Sequence, residues 1–311
     1  YIPWGVIGDN HAVAVGIDGL NASTCNVSDY SDWTVTLDWQ TGDNHFTATS
    51  GIGMPFLYFS KDSASKALVT VNSGTATINN EVLTIIDASS GADFAVYAPT
   101  GSTWQKSGNV YSSELNGKNY WSMAFIPPNT TVSTVVNEYK DFAYVFPKNT
   151  STKWTYDETS SLVTTNFTIN VDVKEGTDTM LLTGLLPHQW AHLASGSTQP
   201  NGYTYPTVRG SLKTMATNSF SVENKFHGIL PTLPYLDNYS KGFNPKDLNE
   251  KVSLLENEGL ATWTDSYNEG QVMNRLIQTA RIADLNGNTT ARDKMIKTVK
   301  TRLEDWLTYE N

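Results

Sequence analysis

The sequence predicts a β-rich sandwich of antiparallel sheets followed by a helical segment. Two patterns and the boundary between them predict it. From Tyr1 to Leu233, short segments rich in Val, Ile, Thr, Tyr and Trp alternate with clusters of Gly, Asn, Asp and Ser, the pattern of strands separated by turns. After Asn244 the apolar residues recur at helical spacing instead, three to four positions apart. The change coincides with Asn244-Pro245, a cap followed by proline at the first helical position.

Within the β stretch, Trp33-Thr-Val-Thr-Leu-Asp-Trp39 alternates apolar and polar residues, as a half-buried strand does. Lys66 to Val71, Glu81 to Ile86 and Phe94 to Ala98 read the same way. Ser73-Gly74, Asn79-Asn80, Ser90-Gly91 and Asn116-Gly117 supply turns between them. Trp33 and Trp39 fall on one face of their strand, as core residues. So much β sequence suggests a sandwich larger than an immunoglobulin domain, with two sheets and long loops.

Beyond Pro245, Leu248, Val252 and Leu255 mark a first helix. A second spans Asp265 to Asp284, with Val272, Met273, Leu276, Ile277, Ala280 and Ala283 on one broad face. Asn286-Gly287 ends it, and Thr290-x-x-Asp293 signals a third, which carries Met295, Val299, Leu303, Trp306 and Leu307. Such wide apolar stripes call for further helices to cover them, so the helical domain is expected to continue beyond Asn311. The expected organisation is a β-sandwich at 1–233, a linking segment at 234–262 and the first helices of a helical domain at 263–311.

Composition narrows the function classes. The chain has 311 residues, 39% hydrophobic and 11% aromatic, enough for a real core. A net charge of −10 opposes binding to nucleic-acid phosphates or anionic lipid, whereas a neutral substrate meets no such penalty. No apolar run is long enough to cross a bilayer. The single cysteine, Cys25, excludes an internal disulfide. The start at Tyr1-Ile-Pro-Trp4, without Met or a charged-then-apolar leader, reads as processed or cut. Sequons at Asn21, Asn26, Asn129, Asn149, Asn166, Asn238 and Asn288 are compatible with a secreted glycoprotein.

Four segments follow one another in order, Leu186-Pro-His-Gln-Trp190, Tyr205-Pro-Thr-Val-Arg-Gly-Ser-Leu-Lys-Thr214, Phe226-His-Gly-Ile-Leu-Pro-Thr-Leu-Pro234 and Thr264-Asp-Ser-Tyr-Asn-Glu-Gly270, and a fifth, Gly53-Met-Pro-Phe-Leu-Tyr-Phe59, lies in the β region. Together they resemble glycoside hydrolase family 81, the endo-β-1,3-glucanases, from about Ile52 to Trp306. The resemblance implies an N-terminal β-sandwich, a small linking domain and the start of an (α/α)6 barrel. It implies hydrolysis, with inversion, of internal β-1,3 bonds in laminarin, curdlan or cell-wall glucan. It implies no cofactor, and a location outside the cell or in the cell wall. The family's Asp-Gly-His-Ser-Trp and Glu-rich motifs, which carry its acid and base, are absent, so the catalytic carboxylates are expected C-terminal to Asn311. Gln271 stands where many relatives have Lys.

The candidate substrate-binding residues are Asp265, Tyr267, Trp263 and Glu269. If helical, Asp265 and Glu269 would share a face with Cβ atoms about 5–6 Å apart, an arrangement suggestive of an acid–base pair. The competing reading is a helix N-terminus, where the dipole favours acidic residues. A carboxylate at Asp265 can accept sugar hydroxyl protons, and Tyr267 offers a flat face with a polar tip. Trp263 and Trp190 could stack on glucose rings. His188, His192 and His227 lack carboxylate or thiolate neighbours at ligand spacing, so no metal site is expected. His188 and His227 sit in strand-like contexts. Two further readings stay open: a non-catalytic β-glucan-binding module, and a structural domain that keeps a partner folded.

Overall fold

A computed structural model describes residues 12–62, 64–86, 92–226, 244–257 and 265–308. The chain divides into two compact units, residues 1–227 and 228–311. Trp263, His227, the Ser90-Gly91 turn and most of the segment from Phe226 to Pro234 lie outside the described residues.

The first unit opens with β1 (Val13–Ile17), β2 (Asn26–Tyr30), β3 (Thr34–Thr41), β4 (Asn44–Gly51), β5 (Phe56–Lys61) and β6 (Ala67–Val71). Then come β7 (Thr75–Asn79), β8 (Val82–Ile86), β9 (Asp93–Tyr97), β10 (Gln105–Ser107), β11 (Val110–Ser113) and β12 (Tyr120–Ile126). Helix α1 (Val132–Tyr139) precedes the long hairpin β13 (Val145–Asp157) and β14 (Leu162–Val173). The unit closes with β15 (Leu182–Leu185), α2 (Pro187–Trp190), β16 (Thr204–Thr207), β17 (Gly210–Ala216) and β18 (Ser219–Lys225).

These strands form four sheets rather than the two expected. The central one has eight strands in the order β2-β3-β4-β5-β12-β9-β8-β7. A four-stranded sheet runs β1-β6-β11-β10, and two three-stranded sheets run β13-β14-β18 and β15-β17-β16. The central sheet is covered on both faces. On one, Phe59, Leu83, Val96 and Trp121 pack against Val69 and Tyr111 of the four-stranded sheet. On the other, Phe56, Tyr58 and Tyr97 pack against Val135, Val136 and Tyr139 of α1 and Phe146 of β13. Double coverage explains why β12, Tyr-Trp-Ser-Met-Ala-Phe-Ile, is buried at every position and does not alternate. The Tyr97 hydroxyl donates to the Val136 carbonyl at 3.0 Å and ties α1 down.

Helix α1 falls in a stretch that reads as β because it is rich in Val and Thr. Its apolar residues Val132, Val135, Val136 and Tyr139 nevertheless keep helical spacing, and the last three are buried. Trp33 and Trp39 also differ from expectation. Trp33 packs on the α1 side, edge-on to Phe167 at 5.6 Å, and Trp39 packs on the other side against Phe46 at 5.4 Å. Trp33 lies in the bend before β3, so strand alternation does not govern it.

The second unit contains α3 (Pro245–Leu255), α4 (Ser266–Leu285) and α5 (Thr289–Thr308). Within the stretch read as a link, α3 is capped by Asn244, whose side chain accepts from the Lys246 amide at 3.0 Å. Its Val252 joins Val272, Leu276, Ala280, Ala283, Ala291, Met295 and Val299 in one core. Gly287, at φ +75°, follows the end of α4, as the glycine there predicts. Helix α5 is capped by Asn288, which accepts from the Ala291 amide at 3.2 Å, instead of Thr290. Leu254, Leu285, Leu303, Trp306 and Leu307 are exposed.

Candidate functional site

Asp265 has extended backbone angles, φ −98° and ψ 140°, and is the N-cap of α4. Its Oδ1 accepts from the Asn268 amide at 2.9 Å, and the Asn268 side chain donates to both its oxygens. The Asn268 backbone hydrogen bond, reinforced by the Asn268 side chain, holds this carboxyl below its usual range. It is therefore a standing acceptor rather than a proton donor. Tyr267, two residues further, is 72% exposed. Asp265 and Tyr267 thus both face solvent at the entry to α4.

Glu269 does not join them. It is 0% exposed, and its Oε1 accepts from Arg302 Nε of α5 at 2.5 Å. Arg302 also donates to Asp305 at 2.6 Å, and the two acceptors raise its pKa, Glu269 foremost. Among the described residues the Glu269 Oε2 atom has no hydrogen-bond partner. The expected shared face of Asp265 and Glu269 fails for a geometric reason. Asp265 sits outside the helix, so the four-residue spacing does not place it over Glu269. The helix-terminus reading of Asp265 holds, and Glu269 joins α4 to α5.

In the first unit, the motif segments meet one another. Gly184 donates its amide to the Gly53 carbonyl at 2.7 Å. Gly53 has φ +79°, and a Cβ there would lie 2.4 Å from the Gly184 oxygen, so only glycine fits. Gly210, at φ +99°, packs against Pro187, which a Cβ would meet at 2.9 Å. The Trp190 indole donates to the Ser211 carbonyl at 2.9 Å, and Lys213 Nζ lies 3.7 Å from the ring centre. One face of Trp190 is therefore taken by a cation. The Tyr205 hydroxyl donates to the Phe125 carbonyl and contacts the Tyr139 hydroxyl, each at 2.7 Å. These segments join β15, α2 and β17 to the central sheet.

His188 lies in α2, not in a strand, and His188 and His192 are both exposed. Among the described residues, no group of three or more His, Cys, Asp or Glu side chains is placed to hold a metal ion. The sequence reading missed His45. Its Nδ1 lies 2.6 Å from Asp62 and its Nε2 2.7 Å from Asp38. A neutral imidazole can donate from only one nitrogen, so this clamp favours the imidazolium. The Asp62 hydrogen bond and then the Asp38 one raise the His45 pKa. The two-residue Gly42-Asp43 turn was the available signal. It pairs Gln40 with His45 and so sets Asp38 diagonally on the same face.

Known proteins resemble most of this chain. No protein-family model matches it. It is 32% identical over 303 residues to a glucan endo-1,3-β-D-glucosidase of Thermobifida fusca, across 94% of this chain and 38% of that protein. It is 36% identical over 285 residues to one of Acetivibrio thermocellus, across 89% of this chain and 35% of that protein. A solved structure of glycoside hydrolase family 81 from Clostridium thermocellum superposes with a TM-score of 0.73 and 32% identity. The match covers 96% of this chain and 41% of that one. The chain thus spans well under half the length of the relatives it matches.

Proposed function

This chain belongs to glycoside hydrolase family 81, matching its N-terminal portion, and from that premise we propose that it is part of an endo-β-1,3-glucanase. The observation that carries the reading is sequence identity of 32–36% with named glucan endo-1,3-β-D-glucosidases over about nine-tenths of this chain. The substrate is a neutral glucan such as laminarin, curdlan or cell-wall glucan, which suits a chain of net charge −10. No cofactor is needed. The protein acts outside the cell, where such polymers lie.

Hydrolysis proceeds with inversion. One protonated carboxyl serves the leaving oxygen and one carboxylate activates water, roughly 6.5–9.5 Å apart to leave room for that water. Neither role belongs to Asp265 or Glu269, because one caps a helix and the other is sealed against Arg302. Both catalytic groups lie C-terminal to Asn311. The β unit is the scaffold, and 263–311 begins the catalytic domain. Asp265, Tyr267 and Trp263 bind sugar there. Glu269, assigned to substrate by sequence, acts on it indirectly by setting α4 against α5.

The test is digestion of laminarin by the full-length protein. Internal cleavage with the α-anomer formed first is expected. Exclusively terminal products, or none, would sink the reading. The alternative is a non-catalytic β-glucan-binding module. Retention of the full-length protein on curdlan without sugar release is its signature.

A further inference from the structure

We propose that the outer part of the β13-β14-β18 sheet is an auxiliary binding strip for a neutral polysaccharide chain, carried by Trp154 and Tyr156. The identity of the glycan, β-1,3-glucan, rests on the function proposed above; the existence of the strip does not.

Trp154 and Tyr156 stand two residues apart on β13, so they project from one face about 6.6 Å apart along the strand. Trp154 is 69% exposed, the most of any described tryptophan. Among the described residues its indole N–H meets no acceptor. Trp104 and Trp190 differ, since their indoles donate to the carbonyls of Glu81 and Ser211. Tyr156 is 39% exposed and fixed: its hydroxyl donates to the Phe226 carbonyl at 3.1 Å, and the Phe226 ring lies edge-on at 6.0 Å. Deeper on the same face Phe167 stacks on Phe220 at 4.6 Å, and Trp33 packs edge-on against Phe167. The sheet that presents the strip is therefore anchored to the body of the unit.

The chemistry around the two rings selects the ligand. Thr165 lies directly opposite Trp154 on β14, and Thr152 is next along β13 on the same face. Both offer a hydroxyl that donates and accepts. The charges of this part of the sheet, Lys153, Asp157, Glu223 and Lys225, all fall on the opposite face by strand register. The side chains of the strip itself are thus aromatic and hydroxylic; the carboxylate beside them, Asp32, accepts from the Thr152 amide at the strip's edge. An anionic ligand meets no cation from these side chains. A pyranose has an apolar C–H face for the indole and a rim of hydroxyls for the threonines. A net charge of −10 likewise favours an uncharged partner over an anionic one.

The experiment compares the full-length wild type with Trp154→Ala and Trp154→Phe. Two readings are taken: sedimentation with insoluble curdlan, and hydrolysis of a short soluble β-1,3-oligosaccharide. Trp154→Ala is expected to weaken curdlan binding about five- to tenfold, the loss of one stacked ring. Trp154→Phe keeps most of it, and oligosaccharide hydrolysis is unchanged in both. Unaltered curdlan binding by Trp154→Ala overturns the proposal. So does a parallel fall in melting temperature and oligosaccharide hydrolysis, which marks Trp154 as a packing residue. A wild type that hydrolyses nothing but binds curdlan through Trp154 refutes the glucanase reading and leaves the strip standing.

Discussion

The β unit closes its core with large aromatic residues, whereas the helical unit closes its own with aliphatic ones. Trp121, Tyr58, Tyr97 and Phe56 are almost fully buried in the first. Val252, Val272, Leu276, Met295 and Val299 fill the second together with Ala280, Ala283 and Ala291. Each buried aromatic removes about 150–250 Å² from water, several times what an alanine contributes. The helical unit also leaves Leu254, Leu285, Trp306 and Leu307 exposed. The difference teaches that the β unit rests on aromatic packing. The helical unit depends more on specific polar ties, chiefly Glu269 with Arg302.

The largest test of that contrast is Trp121→Ala. Trp121 is 0% exposed and stacks on Phe59 at 5.4 Å and Phe46 at 5.7 Å. Its loss should cost about 3–5 kcal/mol, read by urea unfolding. A cost under about 1 kcal/mol would mean that the aromatic layer is not what holds the unit. Next in size is Glu269→Ala, which removes the buried carboxylate that joins α4 to α5 through Arg302; Arg302 keeps Asp305, so the loss should be smaller than that of Trp121→Ala and confined to the helical unit. Hydrogen exchange should then show helical-unit amides opening while β-unit amides stay protected. Equal loosening of both units would break the comparison.

Two smaller effects depend on pH. The folded pKa of His45 is raised, so its contribution to stability is full below the unfolded value of about 6.5 and is lost as pH rises through the folded value. Thermal melts from about pH 6 upward should show the β unit weakening, and His45→Gln should remove that slope. Asp265 has the opposite sign. Its folded pKa is depressed, so its contribution is full above the unfolded carboxylate range and is lost as pH falls through the folded value. Asp265→Asn keeps the cap but should abolish that acid sensitivity. A slope that survives in either variant assigns it to other groups.

The helices were the most legible part of the sequence. Capping residues and apolar period act locally, so α4 at Ser266–Leu285 falls one residue from its expected bounds. The strands with clean alternation were equally readable, as at β6 and β8. Helix α1 was not, because its β-branched residues carry a strand propensity that tertiary packing overrides. At the candidate site, Asp265 and Tyr267 face solvent, and the helix-terminus signal of Asp265 was local and readable. The burial of Glu269 depends on Arg302, 33 residues away, and no local pattern encodes that meeting. The His45 clamp needed the register of the β3–β4 hairpin for Asp38 and that of β4 with β5 for Asp62.

The proposal to be tested is that this chain is part of an endo-acting β-1,3-glucanase whose acid and base lie outside it. One measurement tests it most directly: reducing ends and anomeric configuration released from laminarin, by the full-length protein and by the 311-residue chain in parallel. The account predicts internal cleavage with the α-anomer first from the former, and no release from the latter. Release of sugar by the 311-residue chain alone, or none by either, would contradict it.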